Sequence, residues 1–389
     1  MISNRMRIEA GLWKMRRLAM PTRRITVELG SLRVGQQAGL PMEAWARLSG
    51  DDSLVSRSMQ DSPHLALLRQ ARDTGHSDPR GSEYLAHALQ VLERVGHYHD
   101  ARSEQEVVEL ARRFAQSTPD TGTSLIESVR VARLIGCKDL YEIIDGHHRV
   151  AMALAAGETR GEVLLQGAVP SWWVRKLHRV NMTRRSELYQ PIELPEVKGW
   201  PVVRVCHDRL KMITEFLDAR GLHPHTAIDL GSSYGYFSAG LKNWGIPDVK
   251  AVDRDPNALD VGRLCYGLEP SQLLVSRAED YLADDSTPSA EVVLFLSLLH
   301  HYAIGKEPGE VEQIIAGLAR KTRTVLFLDT GEEHEAWFRH KLKGWSPEYV
   351  SKLVLRAGGF SQAIRLGIDA DAPFEKGQNY GRTFWAFLK

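Results

Sequence analysis

Residues 226–237 read T-A-I-D-L-G-S-S-Y-G-Y-F, and the fold turns on that stretch. A short apolar run ends at Asp229, a loop with Gly231 and Gly235 follows, and a helical pattern opens behind it, which reads as strand, turn, helix. Glycine belongs in such a turn because a side chain there would collide with a ligand lying on the backbone. A dinucleotide-binding turn reads G-x-G-x-x-G, whereas Ser233 stands here between the two glycines. The turn therefore does not point to NAD.

Working outward, the same alternation repeats. T-A-I-D-L, V-K-A-V-D, Q-L-L-V-S, V-V-L-F-L-S and T-V-L-F-L-D are each followed by a helical pattern, which predicts a parallel sheet with helices on both faces. Q-A-I-R-L-G and R-T-F-W-A-F-L have no helix between them and are expected to close the sheet as a hairpin. In such sheets the ligand sits beyond the carboxyl ends of the strands, where strand order reverses. Asp253 ends the second strand, where a carboxylate can accept both hydroxyls of a ribose.

The 389 residues, 43% hydrophobic and 25% charged, are enough for two domains or more. Lys and Arg number 50 against 49 acids, a balance that gives no support to a general nucleic-acid or anionic-membrane binder, though local patches such as Arg16, Arg17, Arg23 and Arg24 remain. No apolar run is long enough for a signal peptide or spanning helix, so a cytoplasmic location is the default expectation. Cys137, Cys206 and Cys265 lie far apart without a C-x-x-C pair and read as buried thiols. The expected division is an irregular segment over 1–61, a helical region and small α+β domain over 62–180, a proline-punctuated linker over 181–205, and the α/β unit over 206–389. Pro63 to Gln116 carries three helical patterns, and the strands V-R-V-A-R-L-I, Y-E-I-I and G-E-V-L-L-Q-G-A-V follow.

With D-L-G-S-S-Y-G-Y-F, A-V-D at Asp253, R-A-E-D-Y-L and F-L-S-L-L-H-H together, residues 207–389 resemble the class I S-adenosylmethionine-dependent methyltransferases, a Rossmann-like doubly wound fold. The resemblance implies S-adenosylmethionine as cofactor. Asp229, Gly231, Ser233 and Gly235 would then lie at its methionine end, Asp253 at the ribose, Ala278 and Glu279 near the adenine, and Ser297 at the end of the fourth strand. Two departures from the family pattern are Ser233 in the middle glycine position and Arg277 where an acid often precedes the alanine. His300 and His301 follow the fourth strand, facing the methyl group in this fold, and are the candidate catalytic residues. A base there could take a proton from an acceptor hydroxyl, while holding nucleophile and methyl in line supplies most of the rate. Asp329, Glu332, Glu333 and His334 after the fifth strand could line the acceptor site or hold a cation; no metal is assigned.

The other motif is Y-E-I-I-D-G-H-H-R-V-A-M-A-L-A-A-G. A strand ending in Asp145 and Gly146 and opening at once into a helix leaves backbone donors pointing outward, beside His147, His148 and Arg149. Residues 124–169 resemble the ParB and sulfiredoxin-like fold, in which such a turn binds nucleotide phosphates. The reactive cysteine of sulfiredoxins is absent, and no basic helix-turn-helix follows. The resemblance implies a phosphate or nucleotide site at Asp145, Gly146, His147, His148 and Arg149, with ATP or another nucleotide and magnesium as ligands. Phosphotransfer is the extension of that reading, with Asp145 or Glu127 as base or magnesium ligand. The alternative is that these residues knit the turn together. Trp172 and Trp173 read as packing or as a stacking platform.

The function expected from these motifs is O-methylation of a small molecule or glycan. Parts of the second unit are similar to methyltransferases that act beside a kinase on bacterial surface glycans, which suggests a phosphorylated sugar as acceptor. The alternative is a nucleic-acid-binding or regulatory protein that senses S-adenosylmethionine. Near-neutral charge argues against nucleic acid, and the fourth strand ends in S-L-L-H where amino-methylating enzymes carry N-P-P-Y or D-P-P-Y. Oligomeric state is not legible.

Overall fold

In a computed structural model of the chain, residues 4–18, 21–117, 123–180, 186–305, 308–335, 338–369 and 381–389 are described. The chain divides into two compact units, Met1–Arg175 with Pro195–Lys198, and Lys176–Leu194 with Gly199–Lys389.

The first unit contains α1 (Asn4–Leu18), β1 (Thr22–Glu28), α2 (Met42–Ser49), α3 (Pro63–Thr74), α4 (Glu83–Val95) and α5 (Glu104–Ala115). Then come β2 (Arg130–Ile135), β3 (Tyr141–Asp145), α6 (His147–Ala155) and β4 (Arg160–Pro170), and α7 (Trp172–Leu177) follows. Serines start the three expected helices: Ser62, Ser82 and Ser103 each accept a hydrogen bond from the backbone N–H three residues on, satisfying a donor the helix cannot. Left-handed Gly75 and Gly96 end α3 and α4. The sheet order is β1-β4-β2-β3, with β2 parallel to β4 and the outer pairs antiparallel. Trp45, Tyr84, Leu65, Val107, Val131 and Ile143 are among its core side chains.

Within residues 1–61, expected to be irregular, the described part holds a 15-residue helix, a strand and a second helix. Two physical reasons hide them in the sequence. β1 reads T-R-R-I-T-V-E and owes its form to pairing with β4, more than 130 residues away. In α1, Met6, Ala10 and Trp13 pack on the core while Ile8, Leu12 and Met15 are exposed, so no single apolar stripe marks the helix.

In the second unit α8 (His207–Ala219) precedes β5 (Thr226–Leu230), α9 (Tyr236–Trp244), β6 (Asp248–Asp253), α10 (Pro256–Tyr266), β7 (Leu273–Val275) and α11 (Ala278–Ala283). The chain returns through β8 (Ala290–Leu296), α12 (Leu299–Ala303), α13 (Pro308–Lys321), β9 (Thr322–Asp329) and α14 (Pro347–Gly358) to β10 (Gln362–Ile368) and β11 (Thr383–Leu388). Strand order is β7-β6-β5-β8-β9-β11-β10. The first five are parallel, and β11 runs antiparallel between β9 and β10. This is the expected Rossmann-like doubly wound sheet with its edge hairpin. Successive residues of β8 serve opposite faces: Val293 and Phe295 enter one core with α13 and α14, Val292 and Leu294 the other with α8 and α9. Burial on both faces explains why the strand reads as an unbroken apolar run. From β5 the chain winds outward through β6 and β7, then returns to β8 on β5's other side, so the switch point lies at the carboxyl ends of β5 and β8.

Of the expected linker 181–205, residues 181–185 lie outside the described residues. The rest is more than a connector. Leu188 pairs with Val202, and the buried Gln190 accepts from the backbone N–H groups of Tyr234 and Tyr236 at 3.1 and 3.4 Å. It thereby caps the start of α9, whose N-cap Gly235 has no side chain to do so.

Candidate functional site

Three strand ends of the second unit converge at the switch point. Asp229, near the end of β5, is 2% exposed and accepts from Ser238 Oγ at 2.8 Å. Burial pushes its carboxyl up to about 7, against the Ser238 hydrogen bond and with the help of nearby Asp253. The turn behind it is pinned over β6, since the N–H groups of Gly231 and Ser232 both donate to the Val252 carbonyl at 2.8 and 3.1 Å. Gly231, Ser233 and Gly235 all adopt positive φ, at 78°, 53° and 81°. A Cβ on Gly231 would lie 2.3 Å from Leu298, so the chain's own packing, as well as any ligand, demands glycine there. Among the described residues, the buried hydroxyls of Ser232 and Ser233 have no hydrogen-bond partner.

Asp253 ends β6 half-buried. One carboxylate oxygen accepts from Ser233 N–H and the other from Asp255 N–H, both at 2.8 Å. Burial raises its pKa against these bonds. Each oxygen keeps a lone pair for a further donor. Ala278 is buried at the start of α11, and Glu279 is already engaged: Arg277 Nε and Tyr302 Oη each donate to it at 2.6 Å. Burial works to raise the Glu279 carboxyl, but Tyr302 and Arg277 outweigh it and hold it below the ordinary range.

After β8 the backbone turns through Ser297 at φ 56°. Ser297 donates twice to Asp329, from its N–H at 2.9 Å and from Oγ at 3.0 Å, so that hydroxyl serves the adjoining strand end. His300 Nδ1 accepts from Gly331 N–H at 3.0 Å, which leaves Nε2 as the protonated nitrogen of the neutral ring. Burial, with Arg382 and His301 nearby, pushes its pKa down to about 2. His301 is exposed at the surface of α12, its ring 4.1 Å from that of His300, and burial of part of the ring with Arg382 and Arg254 nearby lowers its pKa as well.

A buried ion cluster, of whose members the sequence reading named only Asp329 and Glu332, backs these residues. Arg382 Nε and Nη2 grip Glu335 at 2.9 and 3.0 Å; Arg209 Nη1 meets Asp329 at 3.4 Å and its Nε lies 3.9 Å from Asp369. Arg204 joins Asp369 at 3.9 Å, and Glu332 accepts from Thr383 N–H at 2.8 Å. Burial and the neighbouring Asp329 push Asp369 up to about 7. The partners come from positions 204 to 382, so no local motif announces them. His334 contacts Glu332 at 3.3 Å and Glu333 accepts from Gly344 N–H at 2.8 Å. Among the described residues no three His, Cys, Asp or Glu side chains are grouped to hold a metal ion.

In the first unit the D-G-H-H-R residues do gather at the start of α6, around Gly146 at φ 109°, with no side chain capping the helix. Arg149 pairs with Asp145 at 2.9 Å and also bonds Ser128. His147 Nε2 accepts from Gly35 N–H at 3.0 Å, and His148 Nε2 meets Tyr84 Oη at 2.6 Å. Burial pushes both imidazoles down to about 3, so they are neutral near pH 7. Glu127 pairs with Arg24 at 3.3 Å. Trp172 and Trp173 pack edge to face, 4.9 Å apart. Cys137 and Cys206 are buried and Cys265 is partly exposed, none of them in a disulfide among the described residues.

No protein-family model matches the chain, and no curated protein matches it. Among solved structures it is similar to the bifunctional kinase-methyltransferase WbdD, at 22% identity over 54% of this chain and 45% of that one, with a TM-score of 0.43. It is also similar to the magnesium protoporphyrin IX methyltransferase ChlM from Synechocystis PCC 6803 with bound SAM, at 15% identity over 47% of this chain and 78% of that one, TM-score 0.34. An O-methyltransferase family protein from Burkholderia thailandensis overlaps 48% of this chain and 57% of its own at 16% identity, TM-score 0.33. The chain thus spans less than half the length of WbdD, and at this level of likeness the comparisons assign no residue a role.

Proposed function

We propose that the second unit is an S-adenosylmethionine-dependent O-methyltransferase acting on a small-molecule or glycan hydroxyl. One observation carries the reading: the turn after β5 and the carboxylate ending β6 are tied together through Ser233 N–H and Asp253 at the sheet's switch point. The residues present fit such a cofactor. Among the described residues two buried serine hydroxyls lack partners, and both Asp253 oxygens keep a lone pair.

When bound, S-adenosylmethionine supplies a methyl group on a sulfonium centre with a good leaving group. Asp253 would accept the ribose hydroxyls, Ser232 and Ser233 would meet the amino-acid tail, and Asp229 in its ionised form would favour the tail's ammonium. Of the two histidines, His301 is the group to take a proton from the acceptor, because Nδ1 of His300 is occupied and its Nε2 is a donor. His300 is then a positioning residue for α12. A phosphorylated sugar is the narrower acceptor reading; it rests on the sequence resemblance alone.

Calorimetry with S-adenosylmethionine tests this. We expect binding to the full chain and an affinity loss of about tenfold or more for Asp253→Ala, as for lost hydrogen bonds to a charged group. His301→Gln should bind the cofactor as tightly as the parent chain yet lose methyl transfer. Unchanged affinity in Asp253→Ala would refute the placement.

For the first unit a nucleotide-phosphate site is the secondary reading, supported by the uncapped start of α6 and by Arg149. The neutrality of His147 and His148 limits its positive charge to that guanidinium, which is itself shared with Asp145. Phosphotransfer is left out of the proposal, since Asp145 and Glu127 are held in ion pairs. Calorimetry with ATP should then show weak binding that Arg149→Ala removes; heats identical for both chains would end this reading.

A further inference from the structure

α1 has two apolar edges. Met6, Ala10 and Trp13 anchor it on the core of the first unit. Ile8, Leu12 and Met15 are 64%, 45% and 62% exposed, and their spacing of four and three residues lines them up along one ridge, about 10 Å long at the helical rise. Isolated exposed apolar residues are ordinary on protein surfaces. Three in a row on one helix are not, and among the described residues no other helix carries two large exposed ones.

The charge around that ridge has one sign. The helix sequence, N-R-M-R-I-E-A-G-L-W-K-M-R-R-L, contains Arg5, Arg7, Lys14, Arg16 and Arg17 against a single acid, Glu9, and Glu9 is paired with Arg47 at 2.6 Å. Lys14 stands next to Met15 in the sequence, and its side chain faces solvent. An apolar ridge on a helix whose sequence is strongly cationic fits a surface that is apolar a short way down and negative at its face.

We propose that α1 lies along a bilayer rich in anionic lipid, with Ile8, Leu12 and Met15 entering the headgroup and acyl boundary and the positive charge of the helix drawing it to the headgroups. Its other edge stays on the core, so the first unit need not open. A ridge of three side chains is too short to anchor alone, so binding is reversible and depends on charge. The near-neutral balance of the whole chain does not oppose this, because screening beyond a Debye length of about 8 Å makes the local patch the relevant charge.

The test is co-sedimentation of the full chain with phosphatidylcholine vesicles, with and without phosphatidylserine, at low and high salt. The expected result is a partition coefficient at least about tenfold higher with phosphatidylserine, reduced by salt. Replacing the ridge (Ile8→Gln, Leu12→Gln, Met15→Gln) should lower it by about tenfold, and Lys14→Glu should lower it as well. These side chains are already exposed, so the melting temperature should not move. Equal sedimentation with both vesicles, or a ridge variant that binds like the parent chain, would overturn the proposal. So would self-association of the parent chain, lost in the ridge variant, with no vesicle binding, which would make a second copy the occupant.

Discussion

In the proposed cofactor site, Asp229 is the group through which affinity would depend on pH. Burial holds its carboxyl at about 7, so near neutral pH the group is only partly ionised. If the ionised form favours the ammonium of S-adenosylmethionine, affinity should rise as pH increases through about 7 and level off above it. Asp229→Asn should flatten that profile and weaken binding throughout, read by calorimetry over the same pH range. A parent profile as flat as the variant's would remove Asp229 from the cofactor site. The sequence placed this acid because strand, aspartate and glycine turn are contiguous. It could not give the pKa, which depends on Ser238, Asp253 and the packing of the whole sheet end.

At the scale of the element, the turn from Gly231 to Gly235 holds a serine in left-handed backbone, where glycine is the less strained choice. Ser233→Gly should therefore stabilise the second unit by about 0.5–1 kcal/mol, seen as a higher unfolding midpoint. If the Ser233 hydroxyl meets the cofactor, the same variant should bind S-adenosylmethionine less tightly. Higher stability with unchanged affinity would show that the hydroxyl does nothing for the ligand. Elements like β5, α9 and β8 were legible because their patterns are local. α1, β1 and the Gln190 cap were not: α1 has its apolar residues on two edges, β1 needs β4, and Gln190 acts from an apparent linker on a helix some 45 residues later.

At the scale of the molecule, each unit buries titratable groups that no short motif reveals. In the first unit His64, His87, His99, His147 and His148 all have imidazoles lowered by burial. Their folded pKa values lie below the unfolded value of 6.5, so below that pH the unfolded chain binds more protons. The imidazoles should thus make stability of this unit fall as pH drops below about 6.5, by up to about 1.4 kcal/mol per pH unit for each. Glu142, pushed up to about 8 by burial, acts in the opposite sense, its contribution being lost as pH rises through about 8, but below 6.5 it is one group against five. Fluorescence of the buried Trp45 should report the loss, and a midpoint independent of pH between neutrality and pH 5 would contradict it. In the second unit, the Arg209–Asp329 and Arg382–Glu335 pairs fix the ends of β9 and β11 behind the candidate site. The proposed function places a sulfonium cofactor across the Gly231 turn and Asp253. A crystal structure with S-adenosylhomocysteine tests it most directly: the account predicts both ribose hydroxyls within hydrogen-bond distance of Asp253 and the amino-acid tail against Ser232 and Ser233. A ligand seated elsewhere, or a turn closed over the strand ends with no ligand there, would contradict it.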